Sequence, residues 1–273
     1  MTANLYALGA IALWATLASL GVALAHVPPC LLTGLALLIG SVAAWPLYRQ
    51  WRVPPSTLAL GVYGLFGFHF LLFIALRHAP TVEANLVNYL WPLFIVVLAP
   101  LILPAAKWRL VHVAAAVVGF VGAAVAILGG REITGGFAGG YVAALASALI
   151  WSSYSLLTRR VAHFPTAAIG LFGLVSGILA LGCHWALEAP VVLSPRDWML
   201  IVITGLGPLG AAFFFWDAAL KRGDPSTIGI LSYLTPLVST GLLMATSGRA
   251  FTPWIGLAAF CIVGAALVGM RAK

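Results

Sequence analysis

Charge is what this 273-residue chain lacks most. Only 7% of it is Asp, Glu, Lys or Arg, with six acidic residues in total, where a soluble domain carries about 25%. Apolar residues make up 63% and the mean hydropathy is +1.09. Such a chain cannot solvate itself, so a soluble domain is excluded and a polytopic membrane protein is implied. Cysteine is also scarce. Cys30, Cys183 and Cys261 are isolated in or beside apolar runs, with no CxxC spacing, which argues against a disulfide framework or a metal centre. The six histidines are scattered, no HExxH or Ser/Lys pairing occurs, and carboxylates are nearly absent from the apolar runs. A membrane hydrolase or transferase needs such groups, so the reading is not an enzyme, with no cofactor and no metal. No Asn-x-Ser/Thr acceptor occurs. The net charge of +8 comes from Lys and Arg placed singly or in pairs between apolar blocks, which suits loop anchors and not a nucleic-acid stripe.

What the chain has is a repetition. Ala75-Leu76-Arg77 is followed, after eleven residues, by Tyr89-Leu90-Trp91-Pro92-Leu93. Ala219-Leu220-Lys221 is followed at the same spacing by Tyr233-Leu234-Thr235-Pro236-Leu237. The offset is 144 residues. Ala12-Leu13-Trp14 answers Leu149-Ile150-Trp151, and Gly122-Ala123-Ala124-Val125 answers Gly264-Ala265-Ala266-Leu267, in the same order. Duplicated sets of apolar helices are the usual construction of secondary transporters, with the solute site at the repeat interface.

Windows of about 20 apolar residues cross the hydrocarbon core. They fall at roughly 4–25, 29–49, 57–77, 82–103, 110–129, 138–160, 166–187, 198–221, 227–247 and 253–270, divided by Pro, Gly or charge. The fold class expected is all-α, with ten membrane helices as two inverted five-helix repeats, 1–133 and 134–273, around a central cavity. The first segment ends in Ala23-Leu24-Ala25, which mimics a cleavage site. Its apolar run is too long for a signal peptide and its Trp14 motif recurs inside the chain, so cleavage is not expected.

Basic residues set the orientation. Arg49, Arg52, Lys107, Arg109, Arg159, Arg160, Lys221, Arg222, Arg271 and Lys273 fall on one side, against Arg77, Arg131, Arg196 and Arg249 on the other. The split of ten to four puts both termini in the cytoplasm of a bacterial inner membrane. An odd number of helices per repeat then makes the halves enter the membrane in opposite senses.

Pro92 and Pro236 stand at equivalent mid-span places. A proline there cannot bond the carbonyl four residues back, here that of Asn88 or Ser232, so each frees a polar group at depth. Helical spacing puts Asn85, Asn88, Tyr89 and Pro92 on one face, and Gly229, Ser232, Tyr233 and Pro236 on another, with Thr240 beyond. These stripes must avoid lipid, facing either a cavity or a neighbouring helix. Trp14, Trp91 and Trp151 lie too deep for an interfacial belt, and Tyr154 and Ser155 share the Trp151 segment. Phe213, Phe214 and Phe215 extend the aromatic material. Pro208, among Gly205, Gly207 and Gly210, interrupts the eighth span as a hinge or a static kink. His69 is the only ionisable residue near the centre of a span. It either serves the site or is a neutral ring satisfied by a neighbour. Asp217 stands four residues before Lys221, the spacing of a same-face ion pair, and Glu83 suits the first turn of its helix.

On these motifs the chain resembles the drug/metabolite transporter superfamily, in the branch of paired five-helix repeats known by the EamA domain. The likeness covers essentially the whole chain. Within it, the Asn85-Leu86-Val87-Asn88-Tyr89-Leu90-Trp91-Pro92 stretch is similar to bacterial exporters of aromatic amino acids. Many members place Gly-Glu after the fourth helix of each repeat. Pro104-Ala105-Ala106-Lys107 and Ser247-Gly248-Arg249 stand there instead, so no mechanism based on those glutamates carries over. The resemblance implies export of amino acids by alternating access. Trp, Tyr and Phe suit an aromatic side chain, and Asn, Ser and backbone carbonyls suit a zwitterion. Without a titratable carboxylate along the path, transport is read as facilitative. The partners implied are a small amphipathic solute and the bilayer, with no nucleic acid; the sequence leaves the oligomeric state open, and one chain is long enough to form the whole bundle. A multidrug or lipid carrier of the same fold is the alternative reading.

Overall fold

The structure is a computed structural model and describes residues 2–129, 138–247 and 252–271. Arg131, Arg249, Lys273 and the 133/134 repeat boundary lie outside the described residues. All regular structure among the described residues is helical. Ten helices are long and apolar enough to cross a membrane: α1 (Thr2–Ala23), α2 (Pro29–Trp51), α3 (Pro55–His78), α4 (Thr81–Ile102), α5 (Leu110–Leu128), α6 (Gly140–Leu157), α7 (Ala168–Leu187), α8 (Pro195–Arg222), α9 (Pro225–Ala245) and α10 (Pro253–Arg271). These match the expected spans to within about three residues. Proline opens α2, α3, α8, α9 and α10, where its fixed φ and missing N–H fit a first turn.

Several spans are not regular helices. α4 breaks at Tyr89–Leu90, so Thr81–Asn88 and Trp91–Ile102 are two half-helices, with Pro92 in the first turn of the second. α9 breaks likewise after Leu231 and resumes at Leu234. One of the two carbonyls expected to be free is not. The Ser232 carbonyl is taken by the Thr235 N–H at 3.0 Å, because the break tightens into a 3₁₀ turn. α3 and α8 each contain one π turn, Tyr63–Gly67 and Gly207–Ala211, which start 144 residues apart. That is the spacing of the sequence repeat. The interruption anticipated around Pro208 is therefore a π turn, with a counterpart in α3 that has no proline.

Small residues let the spans touch. A Cβ on Gly40 of α2 would lie 2.7 Å from the Gly205 carbonyl oxygen and 2.8 Å from the Gly210 Cα of α8, so the two backbones are in direct contact. Gly64 in the α3 π turn lies flat against the Tyr154 ring of α6.

With ten spans, the start of α1 and the end of α10 fall on one face, here called the near face. That face is tied together by polar contacts. Lys221 Nζ reaches Asp217 Oδ2 at 2.7 Å, the i,i+4 pair expected, and donates to the Phe164 carbonyl at 2.8 Å. Thr166 donates to the same Asp217 oxygen at 2.6 Å. Arg159 donates to the Gly223 carbonyl and Arg160 to that of Ile102.

A second cluster lies on the far face. Glu188, just past the end of α7, has its side chain only 1% exposed. It accepts the amides of Cys30 and Leu31 at the start of α2, and pairs with Arg77 and with His184, each at 2.9 Å. Burial pushes the Glu188 carboxyl upward. The bonds from the Cys30 amide, His184 and the Leu31 amide outweigh that and hold it below its ordinary value.

Candidate functional site: a central aromatic cavity

One cavity of about 550 Å³ occupies the middle of the bundle. Its lining comes from mid-depth and from the far half of the spans. It reaches the far ends at Leu24, Leu76, Asn85, Ile127 and Leu243. Below mid-depth the near half is packed. The cavity is thus a dead-ended vestibule facing the far side.

Its floor is aromatic. Trp14 meets Trp91, Trp151, Phe213 and Trp216 with ring centroids 6.3, 5.8, 6.1 and 5.2 Å away. Most of these pairs are tilted or edge-on, the arrangement favoured by ring quadrupoles. Trp216 lies just under the floor, 1% exposed, and donates its indole N–H to Ser155 Oγ at 3.1 Å. The Trp14 indole N–H donates to the Pro208 carbonyl in the α8 π turn at 3.1 Å.

His69, Phe68, Asn85, Asn88 and Tyr89 line the walls, with Thr33, Thr204, Thr235, Pro236, Ser239 and Thr240 opposite them. His69 Nδ1 lies 2.6 Å from the Leu65 carbonyl oxygen. A carbonyl only accepts, so in the neutral ring Nδ1 carries the hydrogen and Nε2 is an acceptor. Among the described residues, no Asp, Glu, Lys or Arg lines the cavity.

Of the site residues read from sequence, Trp14, His69, Asn85, Asn88, Tyr89, Trp91, Trp151, Pro208, Phe213 and Pro236 meet at this cavity. Five sit behind its wall. Tyr154 packs on Gly64, and Ser155 holds the Trp216 indole. Ser232 donates to the Ile228 carbonyl, and Tyr233 is wholly buried with its ring on Gly119 of α5. Pro92 is buried with its carbonyl close to Gly229 of α9. Phe214 and Phe215 also point elsewhere, since consecutive helical residues cannot share a face. Trp216, Thr204 and Ser239 were not singled out from sequence. The 144-residue offset pairs none of them with another Trp or Thr, and only rotation of α8 and α9 about their axes brings them here.

A ten-span bundle with a neutral, aromatic, dead-ended vestibule at its centre is a membrane transporter of small solutes. The EamA-like transporter family matches residues 1–128 and again 138–270, and the chain belongs to that family. It is similar to the aromatic amino acid exporter YddG of Ancylobacter novellus, 41% identical over 98% of this chain and 96% of that protein. The aromatic amino acid exporter YddG of Escherichia coli K12 is 26% identical over 84% and 81%. A solved crystal structure superposes with a TM-score of 0.92 at 39% identity, covering 100% of this chain and 99% of that one.

Proposed function

We propose that the protein exports aromatic and other neutral amino acids across the bacterial inner membrane by facilitated alternating access. The observation that carries this reading is a vestibule floored by Trp14, Trp91, Trp151 and Phe213 and, among the described residues, free of charged side chains. An indole or phenyl group gains stacking and burial there. A zwitterion brings its own opposite charges, so it needs neutral donors and acceptors and no buried Lys or Arg. The His69 Nε2 lone pair suits an ammonium, and the Asn and Thr groups suit a carboxylate. The volume lies within the roughly 300–1,000 Å³ typical of small-molecule sites. The similarity to two proteins named as aromatic amino acid exporters supports the same substrate class. A polyanion such as a nucleotide sugar would meet no Lys or Arg among the described lining residues.

The reading includes an inverted pair of repeats, 1–133 and 134–273, with both termini cytoplasmic, which turns the vestibule toward the periplasm. The π turns of α3 and α8, at the repeat spacing, are the places where each half bends. The protein works as a carrier and not as an enzyme, and a single chain is sufficient.

Purified protein in liposomes loaded with tryptophan, phenylalanine and leucine tests this. Tryptophan and phenylalanine should equilibrate with no imposed pH difference or voltage. Accumulation above equilibrium that requires an inward proton gradient, and is lost in His69→Ala, would overturn the facilitative part. Failure to move any amino acid while a cationic dye passes would make the protein a multidrug carrier.

A further inference from the structure

Resting on the alternating-access reading above, we infer that a row of polar contacts between the near half of α8 and the elbow after α6 holds the unloaded carrier shut on its near side. Four bonds make the row. The Trp216 indole N–H donates to Ser155 Oγ at 3.1 Å, and Thr166 donates to Asp217 Oδ2 at 2.6 Å. Lys221 donates to the Phe164 carbonyl at 2.8 Å, and Arg159 to that of Gly223 at 3.1 Å. Indole, ammonium and guanidinium groups only donate, and a carbonyl or a carboxylate paired with Lys221 only accepts, so the direction of each bond is fixed. All four run between residues 216–223 and 155–166, just past the π turn Gly207–Ala211 at which α8 can bend.

The repeat shows what this row closes. His26-Val27-Pro28 answers His163-Phe164-Pro165 at 137 residues, the offset that also relates Trp14 to Trp151. The far-side counterparts of the row are therefore Ala18, Val22, Val27 and Pro29, facing Leu72, Phe73, Arg77 and Ala79. Ala18, Leu72 and Phe73 line the vestibule. The open mouth thus lies between segments whose counterparts are bonded together on the near face. Of the eight far-side counterparts, Arg77 alone carries a side-chain donor, and it is held by Glu188 at 2.9 Å. Four bonds on one side against at most one at the matching places put the balance toward the near-closed form. Opening exchanges each bond for one to water, so each is worth about a factor of five in the equilibrium. The Arg159 bond is exposed and is worth less. A carrier open to the near side for only a fraction of the time binds near-side solute with an affinity reduced by that fraction. The row therefore sets a threshold: abundant solute leaves, and a dilute pool is retained.

Labelling with a charged, membrane-impermeant thiol reagent in vesicles of either orientation tests this. Ile95 and Ser239 stand at matching places, 144 residues apart. Ile95 is 0% exposed, and Ser239 lines the vestibule. With Cys30, Cys183 and Cys261 replaced by Ala, Ile95→Cys reports opening to the near side and Ser239→Cys opening to the far side. Thr166→Val and Ser155→Ala should each raise near-side labelling of Ile95→Cys about fivefold, and together roughly twentyfold. Far-side labelling of Ser239→Cys should stay within about twofold in each single variant, which also shows that the variants fold. Arg222→Met removes a near-face cation that bonds within α8 and faces Tyr6 of α1, not the elbow, and it should change neither rate. Unchanged Ile95→Cys labelling in both variants overturns the role given to the row. So does an equal rise in Arg222→Met, or labelling of Ile95→Cys that rises equally from the far side. A parent protein in which Ile95→Cys reacts from the near side as fast as Ser239→Cys from the far side overturns it too. None of these outcomes depends on the solute. Wild-type protein in liposomes that moves no amino acid overturns the exporter reading instead.

Discussion

Replacing Lys221 with Met keeps the stem of the side chain and removes its charge. Lys221 closes the near face through three contacts. It pairs with Asp217 at 2.7 Å, donates to the Phe164 carbonyl at 2.8 Å, and lies 3.8 Å over the Phe164 ring. After the change, Asp217 retains only the Thr166 hydroxyl. Its Oδ1 is already buried without a hydrogen-bond partner, and the residue is 3% exposed. A carboxylate stranded in this way costs about 3 kcal/mol, at the low end for a broken buried pair because the lysine is partly exposed. For a chain of this size that is a fall in Tm of roughly 6–12 °C. Thermal unfolding in one detergent at a single scan rate, followed by tryptophan fluorescence, reads the shift. Asp217→Asn combined with Lys221→Met should recover more than half of the loss, because no unpaired charge remains. A Lys221→Met variant within about 2 °C of wild type, or a double variant as unstable as the sum of the singles, would refute the buried-pair account. Loosening these near-face contacts should also raise labelling of an engineered near-face cysteine.

Glu188→Gln should cost about 3 kcal/mol, since the α2 amides and Arg77 lose their anion. Because the native carboxyl titrates below its ordinary 4.5, its contribution is full above that pH and lost as pH falls through the lower native value. The gap between wild type and Glu188→Gln in unfolding experiments should therefore shrink only below about pH 4.5. A gap that instead closes on raising the pH from 5 to 8 would assign the effect to other groups. Trp14→Phe keeps an aromatic floor but drops the bond to the Pro208 carbonyl; it should weaken tryptophan transport several-fold while tryptophan quenching still reports binding, and wild-type kinetics would show that the bond is idle. A periplasm-active reporter fused at the C-terminus should be silent. Strong activity there would reverse the direction in which the vestibule faces.

The spans, their number and the repeated motif followed from the chain alone. Hydrophobic length is a local property, and each break carries its own proline, glycine or charge. Trp14, Trp91 and Trp151 were legible for a related reason: a tryptophan at mid-depth has no interfacial explanation. Rotation of a helix about its axis is a different matter. These spans are apolar on nearly every face, so periodicity marks no inward side, and Phe213, Phe214 and Phe215 looked equivalent until packing chose Phe213. Helical spacing placed Ser232 and Tyr233 with Pro236, but the break before Leu234 turned the first two into the bundle. Glu188 and Trp216 owe their places to partners 157 and 61 residues away. Membership of the bilayer and the repeated motif were therefore written in composition and order. Which side chains line the central cavity, and toward which end of the bundle it opens, were decided by contacts between spans that no single segment encodes.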